Sequence, residues 1–159
     1  DYILRGYYKD PERTQATLID GYWHSGDIGM IDAQGCLRFM ARLKEYLRVG
    51  GENVSARVVE AAIRKHPGVA EVAVVGARNA MGHDELVAHV VQQPGTPLDV
   101  AQFFAFCNDN LSYFMVPRFL VLQTELPKTA TLRIEKFKLQ NWPLEQALDR
   151  QQLGIQLKR

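Results

Sequence analysis

Two apolar runs rich in valine constrain the fold of this chain most strongly. They cover residues 69–76 and 86–92, and a polar stretch separates them. Valine is branched at Cβ, which favours extended backbone, and short continuous apolar runs are typical of fully buried strands. We therefore predict two buried strands joined by a polar loop.

Helical patterns lie on both sides of this strand pair. Ser55 is placed to cap a first helix that stops at residues 66–68, and Thr96-Pro97 marks the entrance of a second. The predicted core-facing stripes are Val58, Val59, Ala62 and Ile63 in the first helix and Val100, Phe104, Cys107 and Leu111 in the second. With a third strand at 118–122, this order predicts an α+β domain with a central, roughly three-stranded sheet flanked by helices.

The two ends of the chain differ from this middle part. Extended runs at 27–31 and 36–41 flank a short loop ending in Gly35, which predicts a β-hairpin belonging to something larger. Residues 141–159 are polar and are predicted to form a helical tail. We thus predict the end of a large N-terminal domain at 1–43, a small domain at 44–140 and the tail. A start at Asp1 without methionine indicates an excised fragment.

Composition excludes several function classes. The 159 residues carry a net charge of +1 without a dense basic run, so nucleic-acid binding is not expected. No apolar stretch is long enough to span a bilayer and no signal peptide opens the chain, which favours a cytoplasmic protein. Cys36 and Cys107 lack the spacing of a metal site, so no metal ligands are predicted.

Four local signals bear chemically useful groups, and each also has an ordinary structural explanation. Asp27 follows Gly26 at a strand start, where its carboxylate can accept hydrogen bonds from vicinal hydroxyls or simply cap a turn. Arg42 and Lys44 lie where the second hairpin strand ends, and both are phosphate-binding cations or solvated charges.

The other two signals are loops. Gly50, Gly51 and Glu52 precede the first helix, and paired glycines allow either close approach of a ligand or an unusual turn. The segment 126–134 is a polar loop bearing Lys128 and Arg133, and its ordinary explanation is an exposed basic loop. Taken singly, these signals indicate only a soluble α+β domain with several cation-bearing loops.

Taken in order, the same signals resemble the C-terminal third of the adenylate-forming superfamily, which includes acyl-CoA synthetases, luciferases and the adenylation domains of peptide synthetases. Residues 21–27, Gly-Tyr-Trp-His-Ser-Gly-Asp, resemble the family's Gly-Trp-x-x-Thr-Gly-Asp, and residues 6–14 resemble the run before it. The likeness extends over residues 6–140. It implies that the enzyme uses ATP, bound together with Mg²⁺, to join a carboxylic acid to AMP. The acyl group would then be passed to a thiol such as that of coenzyme A.

The resemblance also implies roles for individual residues. Asp27 would hold the ribose hydroxyls, and Arg42 would contact ribose or phosphate. Lys44 would lie at the hinge about which the small domain rotates between adenylation and thioester-forming poses. Gly50, Gly51 and Glu52 would approach the pantetheine channel, and their Gly-Gly-Glu-Asn form, completed by Asn53, resembles acyl-CoA ligases more than peptide-synthetase domains.

The last motif departs from the family pattern. Where the family usually has Pro-Lys-Thr-x-Ser-Gly-Lys-Ile, this chain has Leu132 for the glycine and Arg133 for the catalytic lysine. Arginine keeps the positive charge, whereas leucine is expected to deny the loop a positive φ. The main hypothesis is an AMP-forming acyl-CoA ligase that needs its missing N-terminal domain. The alternatives are a catalytically impaired homologue or interaction module, and an adenylating enzyme that loads a carrier-protein thiol.

Overall fold

The computed structural model describes residues 4–43, 46–78 and 84–157, with the side chains of residues 40 and 41 excepted. The chain forms two compact units, residues 1–44 and residues 45–159. The predicted hinge residue, Lys44, lies outside the described residues. We describe each unit by itself.

The first unit contains one short helix and two small antiparallel sheets. Helix α1 (Pro11–Thr17) begins with a proline in its first turn, and the Asp10 carboxylate caps it by accepting the Arg13 N–H at 3.0 Å. Strands β1 (Leu18–Ile19) and β2 (Tyr22–Trp23) form one pair, and β3 (Asp27–Ile31) and β4 (Leu37–Arg42) form the other. The predicted β-hairpin is therefore confirmed.

The β3–β4 hairpin does not bury its own apolar side chains. Met30, Ile31, Leu37 and Phe39 are all at least half exposed, and every described side chain between residues 4 and 43 keeps some exposure. An isolated two-stranded sheet has no partner layer to cover either of its faces. The described part of this unit therefore holds no hydrophobic core of its own.

The second unit is an α+β domain built on one mixed sheet, as the sequence predicts. Its elements in chain order are β5 (Tyr46–Val49), β6 (Glu52–Ser55), α2 (Ala56–Ile63), β7 (Val69–Arg78), β8 (Asp84–Gln92), α3 (Val100–Asn110), β9 (Phe119–Gln123) and β10 (Leu148–Asp149). The sheet runs β10-β9-β8-β7. Strand β8 pairs antiparallel with β7 and parallel with β9, since α3 returns the chain between β8 and β9. A two-stranded hairpin, β5–β6, precedes α2.

The two faces of this sheet are covered differently. Helices α2 and α3 cover the first, which we call the helix face, and the irregular segment 124–147 covers the second, the loop face. The helix face buries Val59, Ile63, Val72, Val74, Leu86, Ala88, Val90, Phe103, Phe104, Cys107 and Leu120 among others. The loop face buries Ala73, Val75, Val87, Phe119, Val121, Leu126 and Leu139. Alternate residues of β7 and β8 thus point into two separate cores.

Three details of the helices differ from the predictions. Ser55 does occupy the N-cap of α2, but its side chain makes no capping hydrogen bond. Val58 is 52% exposed, because the buried stripe runs through Ala56, Val59 and Ile63. Helix α3 begins later than predicted, since the Asp99 carboxylate caps it by accepting the Gln102 N–H at 2.8 Å.

The prediction of a helical tail is wrong for described residues 141–157. The segment contains one 3-10 turn, Leu144–Gln146, followed by the edge strand β10. Trp142 and Leu144 pack on the loop face, and Ile155 and Leu157 pack on the helix face. Tertiary packing of these few apolar residues outweighs the polar composition, which had indicated a solvated helix.

An ion-pair network fastens β10 to the rest of the sheet. The Arg118 guanidinium lies 3.0 Å from the Asp149 carboxylate and 3.3 Å from that of Glu85. Burial alone would raise the pKa of Asp149, yet the Arg118 hydrogen bond and backbone N–H donors hold that pKa below its usual value. No helix within the described ranges is long and apolar enough to cross a membrane.

Candidate functional site

Asp27 and Arg42 come together at one end of the β3–β4 hairpin. They are direct cross-strand partners, and the Arg42 Nε lies 3.1 Å from an Asp27 carboxylate oxygen. Two local bonds fix this end: the Asp27 N–H donates to the Ser25 hydroxyl at 3.1 Å, and the Leu43 N–H donates to the Gly26 carbonyl at 2.7 Å. A carboxylate and a guanidinium therefore face solvent side by side.

This ion pair lies on the wall of an open cleft of about 1000 Å³ within the first unit. The cleft is lined by Tyr7, Arg13, Ala16, Thr17, Ile19, Tyr22, Trp23, His24, Ser25, Gly26, Asp27, Ile28, Arg42 and Leu43. The lining combines hydrogen-bond acceptors, two guanidinium groups and aromatic rings. Such a set can hold a ligand that bears hydroxyls and negative charge.

The cleft also contains Arg13, a residue for which the sequence indicated no role. Its guanidinium carbon lies 3.9 Å from the centre of the Tyr7 ring, and the Tyr7 and Trp23 rings are 5.5 Å apart. Stacking on an aromatic face orients a guanidinium that would otherwise sample many rotamers. The only sequence signal was its position in the run 6–14, which precedes the aspartate motif.

Gly50 and Gly51 form the tip of the β5–β6 hairpin. Val49 pairs with Glu52, which leaves the two glycines as the whole loop, and their φ angles are +57° and +94°. Two-residue hairpin loops with positive φ at both positions require residues such as glycine. Tip formation thus explains the glycine pair, and Glu52 is exposed at the first paired position after it. A role for these three residues toward coenzyme A stays a prediction.

Arg133 lies at the tip of a second tight loop. The two arms of this loop are joined by a bridge between Lys128 and Ile134 and by the Glu135 N–H, which donates to the Pro127 carbonyl at 2.8 Å. Thr129 fixes the tip: its N–H donates to the Arg133 carbonyl at 2.8 Å, and its hydroxyl accepts the Arg133 N–H at 3.2 Å. The Arg133 backbone is thereby held while the residue remains exposed.

Leu132 adopts the left-handed conformation at this tip. Its φ is +61°, its side chain is 78% exposed, and its N–H donates to the Thr129 carbonyl at 2.9 Å. This is the geometry of a three-residue hairpin loop that ends in a left-handed residue, a position where glycine is usual. The expectation that leucine would deny the loop a positive φ is therefore wrong. Leucine takes that conformation at a cost of about 1–2 kcal/mol.

The two loops of the second unit are anchored on opposite faces of its sheet. Leu47 and Val49 of the glycine hairpin pack against the helix face. Gly76 makes this approach possible, because a Cβ there would lie 2.9 Å from the Leu47 side chain. Leu126 and Ile134 anchor the Arg133 loop on the loop face. The structure therefore does not bring Gly50, Gly51 and Glu52 together with Arg133.

No cluster of metal-ligating side chains is present in the part of the chain that the structure describes. Asp27 is paired with Arg42, and Glu52 is at the hairpin tip, so neither belongs to a set of converging carboxylates. The cleft of the first unit offers the Asp27 carboxylate, two guanidinium groups and aromatic rings. These groups suit an anionic, hydroxyl-bearing ligand.

Part of this chain is similar to known proteins. Residues 58–132 match the model of the AMP-binding enzyme C-terminal domain. The chain is 36% identical to a crotonobetaine/carnitine–CoA ligase of Salmonella paratyphi C over 86% of this chain and 27% of that protein. The chain thus spans about a quarter of the length of the curated relatives it matches.

Solved structures give the same answer for the fold. ATP-bound MatB from Rhodopseudomonas palustris superposes with a TM-score of 0.78 at 31% identity, over 86% of this chain and 27% of that one. The amide bond synthetase McbA from Marinactinospora thermotolerans gives a TM-score of 0.74 at 33% identity, over 87% and 28%. Residues 58–132 therefore correspond to an AMP-binding enzyme C-terminal domain, and the fold is that of the matching parts of MatB and McbA.

Proposed function

We propose that this chain is the C-terminal part of an ATP-dependent, AMP-forming acyl-CoA ligase. Such an enzyme joins a carboxylic acid to AMP, releases pyrophosphate, and transfers the acyl group to the thiol of coenzyme A. The proposal rests mainly on one observation: Arg133 is presented on an exposed, internally hydrogen-bonded tip, on the face opposite the glycine hairpin. Two separate loops suit two half-reactions that use different surfaces of one small domain.

Asp27 and Arg42 supply the nucleotide-binding part of the proposal. A carboxylate offers about four acceptor sites, so Asp27 can pair with Arg42 through one oxygen and still accept hydrogen bonds from two ribose hydroxyls. Arg42, 65% exposed, can reach ribose or phosphate from the same position. The Mg²⁺ that accompanies ATP would be bound mainly by a large N-terminal domain, to which the exposed β3–β4 hairpin would also belong.

Arg133 would act during adenylation. Negative charge develops on the α-phosphate as the carboxylate attacks, and a fixed cation near that oxygen lowers the barrier. A guanidinium brings the same charge as the usual lysine but in a planar fork with several donors. Lys44 would serve as the hinge for the rotation that exchanges the Arg133 loop for the glycine hairpin.

The decisive test uses the full-length protein and ATP–pyrophosphate exchange over a panel of carboxylic acids. We expect exchange with at least one acid and a loss of about 100-fold in Arg133→Ala, the scale seen when one preorganised charge-stabilising group is removed. Arg64→Ala, at the exposed end of α2, is the matched control and should exchange normally. Absence of exchange in the native protein, with recovery in Arg133→Lys, would instead support the catalytically impaired homologue or interaction module.

A second assay identifies the acceptor. Once an acid is found, its transfer to free coenzyme A, to a carrier-protein thiol and to a simple amine is measured separately. We expect coenzyme A, because the Gly-Gly-Glu-Asn run at 50–53 resembles acyl-CoA ligases. Transfer only to the carrier thiol would identify a carrier-loading enzyme. Transfer only to the amine would match McbA, an amide bond synthetase of similar structure.

A further inference from the structure

Two lysines flank the Arg133 loop, and each forms an ion pair with a glutamate of an earlier element of the domain. The Lys128 ammonium lies 2.7 Å from Glu71 on β7, and the Lys136 ammonium lies 2.8 Å from Glu60 on α2. Lys128 belongs to the arm that enters the loop, whereas Lys136 follows the arm that leaves it. Both ends of the loop are thus tied to elements that precede it in the chain.

Glu60 is the more buried of these two glutamates and has a second partner. Its side chain is 12% exposed, and the carboxylate oxygen that faces Lys136 also accepts the Val74 N–H at 2.7 Å. Strand β7 is the outermost strand of the sheet, so this bond satisfies a backbone donor at its edge. One carboxylate therefore joins helix α2, strand β7 and the segment that follows Arg133.

These contacts connect the tip of the Arg133 loop to the sheet through a continuous set of hydrogen bonds and ion pairs. The Pro127–Glu135 bond and the Lys128–Ile134 bridge make the two arms one hydrogen-bonded ladder, and Thr129 extends that ladder to Arg133. Fixing the ends of a short ladder fixes its tip. Solvent-exposed ion pairs are weak, but a largely buried carboxylate that also accepts a backbone N–H is held more firmly.

We propose that Glu60 and Lys136 are positioning residues for Arg133: their ion pair, assisted by Glu71 and Lys128, sets where the Arg133 loop stands on the sheet. The inference rests on the proposed function, since it assigns these residues to the adenylation half-reaction. It does not involve the glycine hairpin, which is anchored on the opposite face.

The test compares Lys136→Met with Lys138→Met in the full-length enzyme. Lys138 is the matched control, because it pairs with Glu135 three residues away and has no ion pair with a sheet residue among those that the structure describes. We expect Lys136→Met to lower ATP–pyrophosphate exchange about tenfold, since small misplacements of a catalytic group are costly. Thioester formation from a supplied acyl-adenylate should stay within about twofold. Lys136→Arg, which keeps the charge, should recover most of the exchange.

Loss of both half-reactions in parallel, or equal effects of Lys136→Met and Lys138→Met, would overturn the proposal. If Lys136→Met does not fold, Lys128→Met tests the second tie in the same way with a smaller expected loss. Amide hydrogen exchange at Leu132 and Arg133 separates this inference from the proposed function, because it needs no catalysis. It should accelerate in Lys136→Met and not in Lys138→Met, and unchanged exchange in both would count against positioning.

Discussion

The helix face and the loop face of one sheet bury similar strand residues but are covered by different kinds of structure. Two amphipathic helices cover the helix face, and its core is continuous and apolar. The irregular segment 124–147 covers the loop face, where the fully buried His89 contacts Trp142 edge to face at 5.7 Å. Regular helices satisfy their own backbone groups, whereas an irregular cover depends on individual side chains and turns.

The loops anchored on the two faces also differ, in the residues that they place at positive φ. The hairpin on the helix face uses Gly50 and Gly51 for its positive φ angles, while the loop on the other face places Leu132 in the left-handed region. On the loop face, neither ring nitrogen of His89 nor the Trp142 Nε1 has a hydrogen-bond partner among the described protein atoms. The helix face is the conventional core, and the loop face carries the left-handed leucine.

The largest expected effect is a cavity in the helix face. Phe103 is fully buried between Phe104 and His66, so Phe103→Ala should lower the free energy of unfolding by about 4 kcal/mol. Leu126→Ala, on the loop face, should cost about 2–3 kcal/mol because fewer atoms are removed. Urea unfolding of the full chain measures both. A larger cost for Leu126→Ala would show that the loop face is the better-packed layer.

The next effect is a fall in the free energy of unfolding at acid pH, caused by His89 on the loop face. Burial lowers the pKa of His89 from 6.5 to about 4, because the charged imidazolium is disfavoured there. As the pH falls, the unfolded chain takes up a proton on His89 before the folded chain does. The stabilisation of the folded chain by neutral His89 is therefore complete above pH 6.5 and is lost as the pH falls toward 4. The difference is about 3 kcal/mol at 1.36 kcal/mol per pKa unit.

His89→Leu isolates this contribution. The variant should show a shallower decline in unfolding free energy between pH 6.5 and pH 4 than the native chain, measured by urea unfolding at a series of pH values. His66→Leu is the comparison variant, because burial also lowers the pKa of His66 but its ring is only half-buried. Parallel pH profiles for the native chain and His89→Leu would contradict the assignment.

A third change probes the glycine hairpin. Gly51→Val should destabilise the second unit by about 2 kcal/mol, because a β-branched residue is strained at a φ of +94°. A Cβ at this position would meet no atom within 4 Å, so the cost is conformational and not steric. Thermal unfolding measures it, and Gly51→Asn, which tolerates positive φ, should cost clearly less. Equal costs for both variants would argue against a strained tip.

The smallest effect concerns the leucine of the other loop. Leu132→Gly should stabilise the chain by about 0.5 kcal/mol, because relief of the left-handed strain outweighs the extra freedom of glycine in the unfolded state. Leu132→Ala keeps the strain and should leave stability nearly unchanged. Both are read from urea unfolding midpoints. Destabilisation by Leu132→Gly would mean that the exposed leucine side chain makes a contact worth more than its strain.

The helix face was largely predictable from sequence, and the loop face was not. Valine-rich strands and amphipathic helices leave periodic patterns, so residues such as Val72, Ile63 and Phe104 could be assigned to a core. The apolar residues of the loop face, Leu126, Ile134, Leu139, Trp142 and Leu144, follow no constant spacing. Apolar residues without a regular spacing do not predict a buried face, and only the tertiary structure shows that this segment covers a sheet.

The candidate site shows the same limit. Asp27, Arg42, the glycine pair and Arg133 stand out because their residue types and order carry a chemical pattern. Arg13 and Glu60 do not, since a single arginine or glutamate in a helix has many ordinary explanations. Their relevance depends on contacts with Tyr7 and with Val74 and Lys136, which join residues that are distant along the chain.

The Glu60 contact with Val74 has a consequence for the behaviour of the protein at high concentration. Exposed strand edges recruit strands from neighbouring molecules, and this recruitment leads to aggregation. A carboxylate and an ammonium occupy the middle of the β7 edge, and at the other edge β10 is only two residues long. The charged pair at the β7 edge and the shortness of β10 at the other edge thus both oppose the addition of a further strand to the described sheet. Loss of Glu60 would therefore leave the Val74 N–H without its partner and open this edge to strand addition.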